Sequence, residues 1–415
     1  MKCCWLGALL VCVPAILNGQ MQMGGPVQSL KDDVLRHSAS GTSLESESSA
    51  PPMLMRMSGK WMEMLHGEAS VAAQQQTGPR GHDKVFSVNW AMAMAQLATA
   101  GGQWTFVSML SLEPATITGR CYPELFQQGE TAFGKPIVDG QHPHNLFMEL
   151  AAIYDLNLGE RGVATFYIAP VGDPALGPVA FPHRMSAESD PLAPLAHHLQ
   201  DSTHIAYDVV TCGVTWGPAR LEASGFHGRE PDENRWIIQA GAVDSWSARL
   251  TAALAQGWIA QYSIGHLHSP EALHATEDVL RQTASISMHH MWTVADIDAT
   301  AVWGRNHTVG TDVNANGYLL EAETRVRAKQ SIWTRVENDD RTTDLLGAAA
   351  PPEESVVGRV QAYTGGYAHR IWHSEWSALE LGAQGTIYTT PARLLSLYGA
   401  HPVGVAAVLH WRIGR

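Results

Sequence analysis

From Tyr318 to Glu337 apolar and polar positions alternate along the chain, with one interruption. Tyr318, Leu320, Ala322, Thr324 and Val326 interleave with Leu319, Glu321, Glu323, Arg325 and Arg327, a period of two that predicts a strand with one greasy and one ionic face. After a hinge at Ala328, Lys329 and Gln330 the pattern resumes. Ile332, Thr334 and Val336 fall on one side, and Ser331, Trp333, Arg335 and Glu337 on the other. Two such strands form a hairpin.

The same rhythm predicts sixteen strands, at 59–72, 85–97, 102–113, 145–158, 162–172, 203–216, 218–228, 243–255, 257–268, 279–292, 295–306, 317–327, 330–338, 356–371, 375–389 and 402–413. Connections after even-numbered strands are short, and those after odd-numbered strands are long, notably 114–144, 173–202, 229–242, 269–278 and 339–355. A soluble sandwich has no reason to gather its long loops at one end. An even number of antiparallel strands with short turns at one end and long loops at the other is the layout of a transmembrane barrel. The expected fold is therefore all-β: a transmembrane, antiparallel, up-and-down β-barrel of about sixteen strands, fourteen being the alternative count. Its turns would be periplasmic and its long loops extracellular.

The alternation also assigns faces. Trp104, Phe106, Leu110, Leu112, Met148, Leu150, Tyr154, Leu156, Trp246, Leu250, Leu254, Val405, Leu409 and Trp411 are expected to face lipid, with Met92 and Met94. The lumen would receive Glu149, Asp155, Asp208, Arg220, Glu222, Arg249, Arg281, Glu321, Glu323, Arg325, Arg335, Glu337, Arg359, Glu380 and Arg412. Such mixed signs imply water and cross-strand pairing inside. Glu63 and Gln282 sit badly on the lipid side.

Composition narrows the reading further. The 415 residues hold no mature apolar run long enough for a membrane helix, and a net charge of −13 argues against a nucleic-acid partner. Lys2 followed by the apolar run Cys3 to Leu17 resembles a secretory signal, so residues 1–19 are read as a signal peptide. Residues 20–57 are rich in Gly, Ser, Pro and Glu and read as a flexible periplasmic lead-in with a short helix near 27–36; the barrel would occupy 58–415. Three of the five cysteines lie in the signal, and Cys121 and Cys212 are expected to stay unbridged. The partners implied are the lipid bilayer of the bacterial outer membrane and small polar solutes or metal ions. Composition is silent on oligomeric state.

The long loops carry dense polar strings: SLEPATITGR (111–120), DGQHPHN (139–145), GDPALGPVAFPHR (172–184), HHLQDSTHI (197–205) and GREPDENRW (228–236). Taken together these strings resemble a family of Gram-negative outer-membrane, porin-like β-barrel proteins. The resemblance covers most of the chain beyond residue 41. It implies an exported barrel and brings no substrate or catalytic residue with it.

His142, His144, His183, His197, His198, His204 and His227 fall at the expected mouth beside Asp139, Asp201 and Glu230. Imidazoles with carboxylates are transition-metal ligands, and His-x-His places two side chains on one side of an extended backbone. The competing reading is that these histidines pair with loop carboxylates and merely pack the loops. A second group is Met62, Met64 and His66 on one face of the first strand, with His410 of the last strand beside them; Met53, Met55 and Met57 continue the spacing upstream. Thioether with imidazole favours copper(I) or silver(I). The competing reading there is apolar filling.

Ser202 with His198, His204 and Asp201 holds the residue types of a nucleophilic triad, but adjacent residues seldom reach triad geometry and no nucleophile-elbow string appears. The sequence thus points away from an enzyme. The function read from it is a porin-like channel or passive pathway for small polar solutes or ions. The alternative is a barrel that binds or exports soft metal, with copper as the one candidate cofactor.

Overall fold

The computed structural model describes residues 29–46, 53–346 and 355–414; the expected signal peptide lies outside them. The barrel strands are β1 (Trp61–Gln76), β2 (Lys84–Ala98), β3 (Gly102–Leu110), β4 (Phe147–Asn157), β5 (Gly162–Gly172), β6 (Ala206–Trp216), β7 (Ala219–His227) and β8 (Ser245–Ala255). They continue as β9 (Trp258–Leu267), β10 (Val279–Met291), β11 (Ala295–Thr308), β12 (Asn314–Val326), β13 (Gln330–Thr342), β14 (Val356–His373), β15 (Ser377–Thr389) and β16 (Val403–Ile413). Each pairs antiparallel with its sequence neighbours, and β1 pairs with β16 from Gly67↔Ile413 to Gln76↔Gly404, which closes the sheet. Closure leaves no edge strand, so the backbone hydrogen bonds are met within the sheet, as a membrane interior requires. All sixteen expected strands are present.

The exterior is what lipid requires. Leu221, Leu320, Leu381 and Ile387 are each more than half exposed on the outer face, an arrangement water would penalise and acyl chains do not. Trp104, Trp216, Trp258, Trp292, Trp372, Trp376 and Trp411 are exposed beside the short turns, an aromatic girdle at one rim. Gln282 is accommodated because its amide hydrogen-bonds the Tyr262 hydroxyl at 2.8 Å, and Glu63 because Arg56 lies 3.7 Å away.

Three face assignments were inverted by β-bulges, where one extra residue shifts the alternation. The β3–β4 register shifts between Met109 and Leu110, and Met148 and Glu149 are both buried, so Met148 points inward rather than to lipid. The β6–β7 register shifts after Tyr207. Asp208 adopts a positive φ of 52°, and its carboxylate accepts the Gly241 N–H outside the lumen. The β13–β14 register shifts at Arg341/Thr342, leaving Arg359 largely exposed over the Tyr318 ring and paired with Asp340. Asp208 and Arg359 are therefore not lumen residues. Met92 and Met94 are also buried inward, in phase with the buried Gln96, while the alanines at 91, 93 and 95 take the outer positions and no charged residue marks the inner face there. The other expected lumen residues, from Glu149 and Arg220 to Glu380 and Arg412, are buried on the inner face.

The lumen is filled by protein. The segment 173–205, between β5 and β6, folds inside the barrel as short helical turns and is almost wholly buried. The lead-in expected to be flexible is ordered over residues 29–46. Its helix α1 (Leu30–Arg36) is N-capped by Ser29, and 37–46 run inside the barrel, where buried polar groups hold them. His37 meets Asp155 at 2.6 Å, the Gly41 N–H donates to Glu149 at 3.0 Å, and Ser40 donates to Asp173 at 2.8 Å. Gly41, at φ 58°, approaches the Asp173 backbone so closely that a Cβ would lie 2.5 Å from its oxygen. Residues Leu54–Ser58 form a further strand paired to the start of β1.

Candidate functional site

Three long loops meet above the plug. His142 and His144 come from the β3–β4 loop, His197, His198 and His204 from the plug itself, and Glu230 and Arg235 from the β7–β8 loop. The ligand nitrogens of His142, His197 and His198 lie within 4.8 Å of one another. Glu130 contacts both His142 Nε2 and Arg235, placing a carboxylate beside the trio. His204 flanks it, with its ring 5.4 Å from that of His197 and 5.3 Å from that of His144.

The second layer fixes which nitrogen is free. His197 Nδ1 donates to Asp201 at 2.7 Å, His204 Nδ1 to the Asp201 carbonyl at 2.9 Å, and His144 Nδ1 to Glu113 at 3.0 Å. In each of these rings Nε2 is buried and has no hydrogen-bond partner. Nδ1 anchored on an oxygen with Nε2 left bare is how metal-binding histidines are held. His198 Nδ1 is also unpartnered, standing 3.6 Å from Glu230, too far for a hydrogen bond. Gly129 lets the loop close over His198, since a Cβ there would lie 2.6 Å from the imidazole Cγ.

Burial sets the charge states. It lowers His197 to about 4 and His204 to about 3, and pushes His142 well below its ordinary value, assisted by His198 and His197. At neutral pH the His197 and His204 rings therefore offer a free Nε2 lone pair, whereas both His142 nitrogens face oxygens, Nδ1 the Pro143 carbonyl at 3.1 Å and Nε2 the Glu130 carboxylate. Burial pushes the Asp201 carboxyl up, but the His197 hydrogen bond and the nearby Arg184 more than reverse it, so Asp201 stays ionised. Neutral imidazoles with one or two carboxylates suit zinc(II) or copper(II).

The plug is clamped to the barrel wall. Arg184 bridges Asp201 at 3.2 Å and Glu321 at 2.5 Å, Arg335 meets Asp190 at 3.1 Å, and Glu337 accepts the Leu195 N–H at 2.6 Å. Spaces between plug and wall include cavities of about 30 and 20 Å³, and a third of about 10 Å³ lies at the histidine site itself, lined by Glu130, His142, His198, Ser202 and Glu230.

No protein-family model and no curated protein matches the chain. Among solved structures it is similar to an anion-selective porin from Comamonas acidovorans, at 12% identity over 85% of this chain and 99% of that one, with a TM-score of 0.52. It is also similar to Salmonella typhi OmpF in complex with daunomycin, at 10% identity over 86% of this chain and 99% of that one, with a TM-score of 0.50. The fold is that of an outer-membrane porin. Within this porin-like barrel the β5–β6 segment occupies the lumen together with residues 37–46.

The other sequence-stated candidates separate. Met62, Met64 and His66 do share the inward face of β1. His410 is engaged elsewhere, its Nε2 meeting Glu68 at 3.1 Å and its Nδ1 facing Arg412 at 3.4 Å. His227 binds the Ala242 carbonyl and Asp244, and Asp139 pairs with Arg80, away from the histidine trio. Ser202 hydrogen-bonds Arg281 and Glu230, and among the described residues no imidazole hydrogen-bonds its hydroxyl, so the triad geometry is not formed. Sequence reasoning missed Glu113, Glu130, Arg184 and Arg235. Glu113 stood inside a quoted loop string, whereas Glu130 carried no signal. Cys121 and Cys212 are free.

Proposed function

We propose that this porin-like barrel resides in the bacterial outer membrane and captures a divalent transition metal, zinc(II) or copper(II), where its mouth loops meet its plug. The observation that carries the reading is the His142, His197 and His198 trio, its nitrogens within 4.8 Å and His197 Nε2 bare because Asp201 holds Nδ1. Four ligands around such an ion bring nitrogens to roughly 3.3 Å apart, so binding draws the loops together. Glu130 is the nearest carboxylate for a fourth position.

The test is titration of the mature protein in detergent micelles with zinc(II) and copper(II), with bound metal counted by mass spectrometry. One equivalent is expected, with loss in His142→Ala/His197→Ala. Absence of stoichiometric binding to the unsubstituted protein ends the proposal.

A passive pathway for small polar solutes or ions is the second reading, favoured by the porin-type barrel. It requires the 173–205 segment to shift, because that segment fills the lumen. Planar-bilayer recording with discrete openings supports it, and a silent bilayer counts against it.

A further inference from the structure

Below the histidine trio a second cavity, of about 30 Å³, lies between the plug and the β1–β2 wall. His66, Trp90, His183 and Met185 are among the residues that line it. Trp90 stands edge-on to both imidazoles, with ring centroids 5.0 Å from His66 and 4.4 Å from His183. His66 is 3% exposed and its Nε2 has no hydrogen-bond partner; His183 is 8% exposed and neither ring nitrogen has one. A neutral imidazole carries one N–H and one lone pair, and burying these without partners is costly unless something occupies the cavity and takes up the free lone pairs. Sulfur is close at hand. Met185 lines the same cavity, and Met92 is the cross-strand partner of His66.

We infer that this cavity is a site for a soft monovalent cation, copper(I) or silver(I), held by His66, His183 and Met185 with the Trp90 ring against it. Thioether and imidazole are the donors such ions prefer over water or carboxylate. The charged groups at the cavity are already committed. Arg184 is bound to Glu321 and Asp201, Glu188 to Arg325 and Arg412, and Glu68, which also lines the cavity, meets Trp90 Nε1 and His410 Nε2, each at 3.1 Å. The ligands on offer are thus neutral, which penalises a dication more than a monocation. The histidine trio above differs because Glu130 and Glu230 adjoin it. Burial keeps His183 neutral, in agreement with a ligand role. The inference does not depend on the trio binding metal.

The test uses silver(I), which needs no reductant, on the mature protein in micelles with Cys121→Ser and Cys212→Ser to remove competing thiols. One equivalent is expected to bind. His66→Phe with Met185→Leu should weaken it at least tenfold and leave zinc(II) uptake unchanged. His142→Ala/His197→Ala should do the reverse, so failure of either site is distinguishable from failure of the other. X-ray absorption at the silver edge of the loaded protein without those two core substitutions provides a reading that does not depend on their folding. Both nitrogen and sulfur neighbours are expected. A spectrum without sulfur, or undiminished silver affinity in His66→Phe/Met185→Leu, overturns the site.

Discussion

The two walls of the lumen obey one alternation rule and present opposite chemistry. Along β1 to β4 the inward side chains include Met64, Met92, Met94, Met109, Met148 and Ile153, joined by Met55 from the short strand beside β1, with Glu149 and Asp155 of β4 the carboxylates among them. Along β7 to β16 they are arginines and carboxylates, among them Arg220, Glu222, Arg249, Glu321, Arg335, Glu337 and Arg412. The ionic wall grips the plug through Arg184–Glu321 and Arg335–Asp190, while Arg249 reaches both Gly177 of the plug and Thr42 of the lead-in. The methionine wall presents thioethers and apolar surface. One wall is a socket, and the other is soft packing that leaves His66 and His183 bare.

The largest expected effect comes from breaking the socket. Arg184→Ala removes the guanidinium that Glu321 and Asp201 share, leaving Glu321 to Arg335 and Asp201 to His197, and breaking a buried pair by removing one partner costs about 3–5 kcal/mol. The outcome expected is release of the plug, read as protease cleavage within 173–205 and as new conductance in a planar bilayer. An unchanged digestion pattern would show that the ionic wall is not what holds the plug.

A smaller effect concerns pH and the lead-in. Glu45 accepts the Met185 N–H at 3.0 Å, and burial raises its carboxyl to about 8; Asp173, which accepts from Ser40, is raised to about 8 for the same reason. Both therefore hold a proton when docked and lose it in water above their ordinary carboxylate range. Docking is strongest below about 4 to 5, weakens as pH climbs, and reaches its full penalty above about 8. Hydrogen exchange of residues 37–46 should accelerate across that window, and Glu45→Gln should flatten the response. A profile that is flat in the unsubstituted protein removes this account.

The smallest effect belongs to the methionine wall. Met109 is fully buried, yet Met109→Leu preserves volume and polarity and should cost under about 1.5 kcal/mol, with the plug still closed. Thermal unfolding followed by gel mobility measures it. A loss as large as that of Arg184→Ala would mean the two walls share the load equally.

Much of this was legible beforehand for a simple reason. A strand between lipid and a polar interior must alternate, so each of the sixteen strands was visible as a period of two, and β12 and β13 most clearly because Glu321, Glu323, Arg325 and Arg335 mark their inner face. β2 has no such marker, and there Met92 and Met94 were misplaced. Asp208, Arg359 and Met148 were misplaced because a bulge adds a residue without leaving a trace in hydrophobicity. The histidines of the site were visible as residue types. Their partners were not, since Glu113 reaches His144 and Glu130 reaches His142 from outside the histidine strings.

What the sequence determined alone is the barrel: strand number, loop placement and the greasy exterior follow from local alternation, which needs no knowledge of distant contacts. What only the tertiary structure decided is the contents of that barrel. Whether 173–205 hangs outside or folds inward, and which imidazole nitrogens are left without a partner, depends on pairings such as Arg184 with Glu321, 137 positions apart. Contacts of that range are made by closure of the sheet, and no periodicity along the chain encodes them.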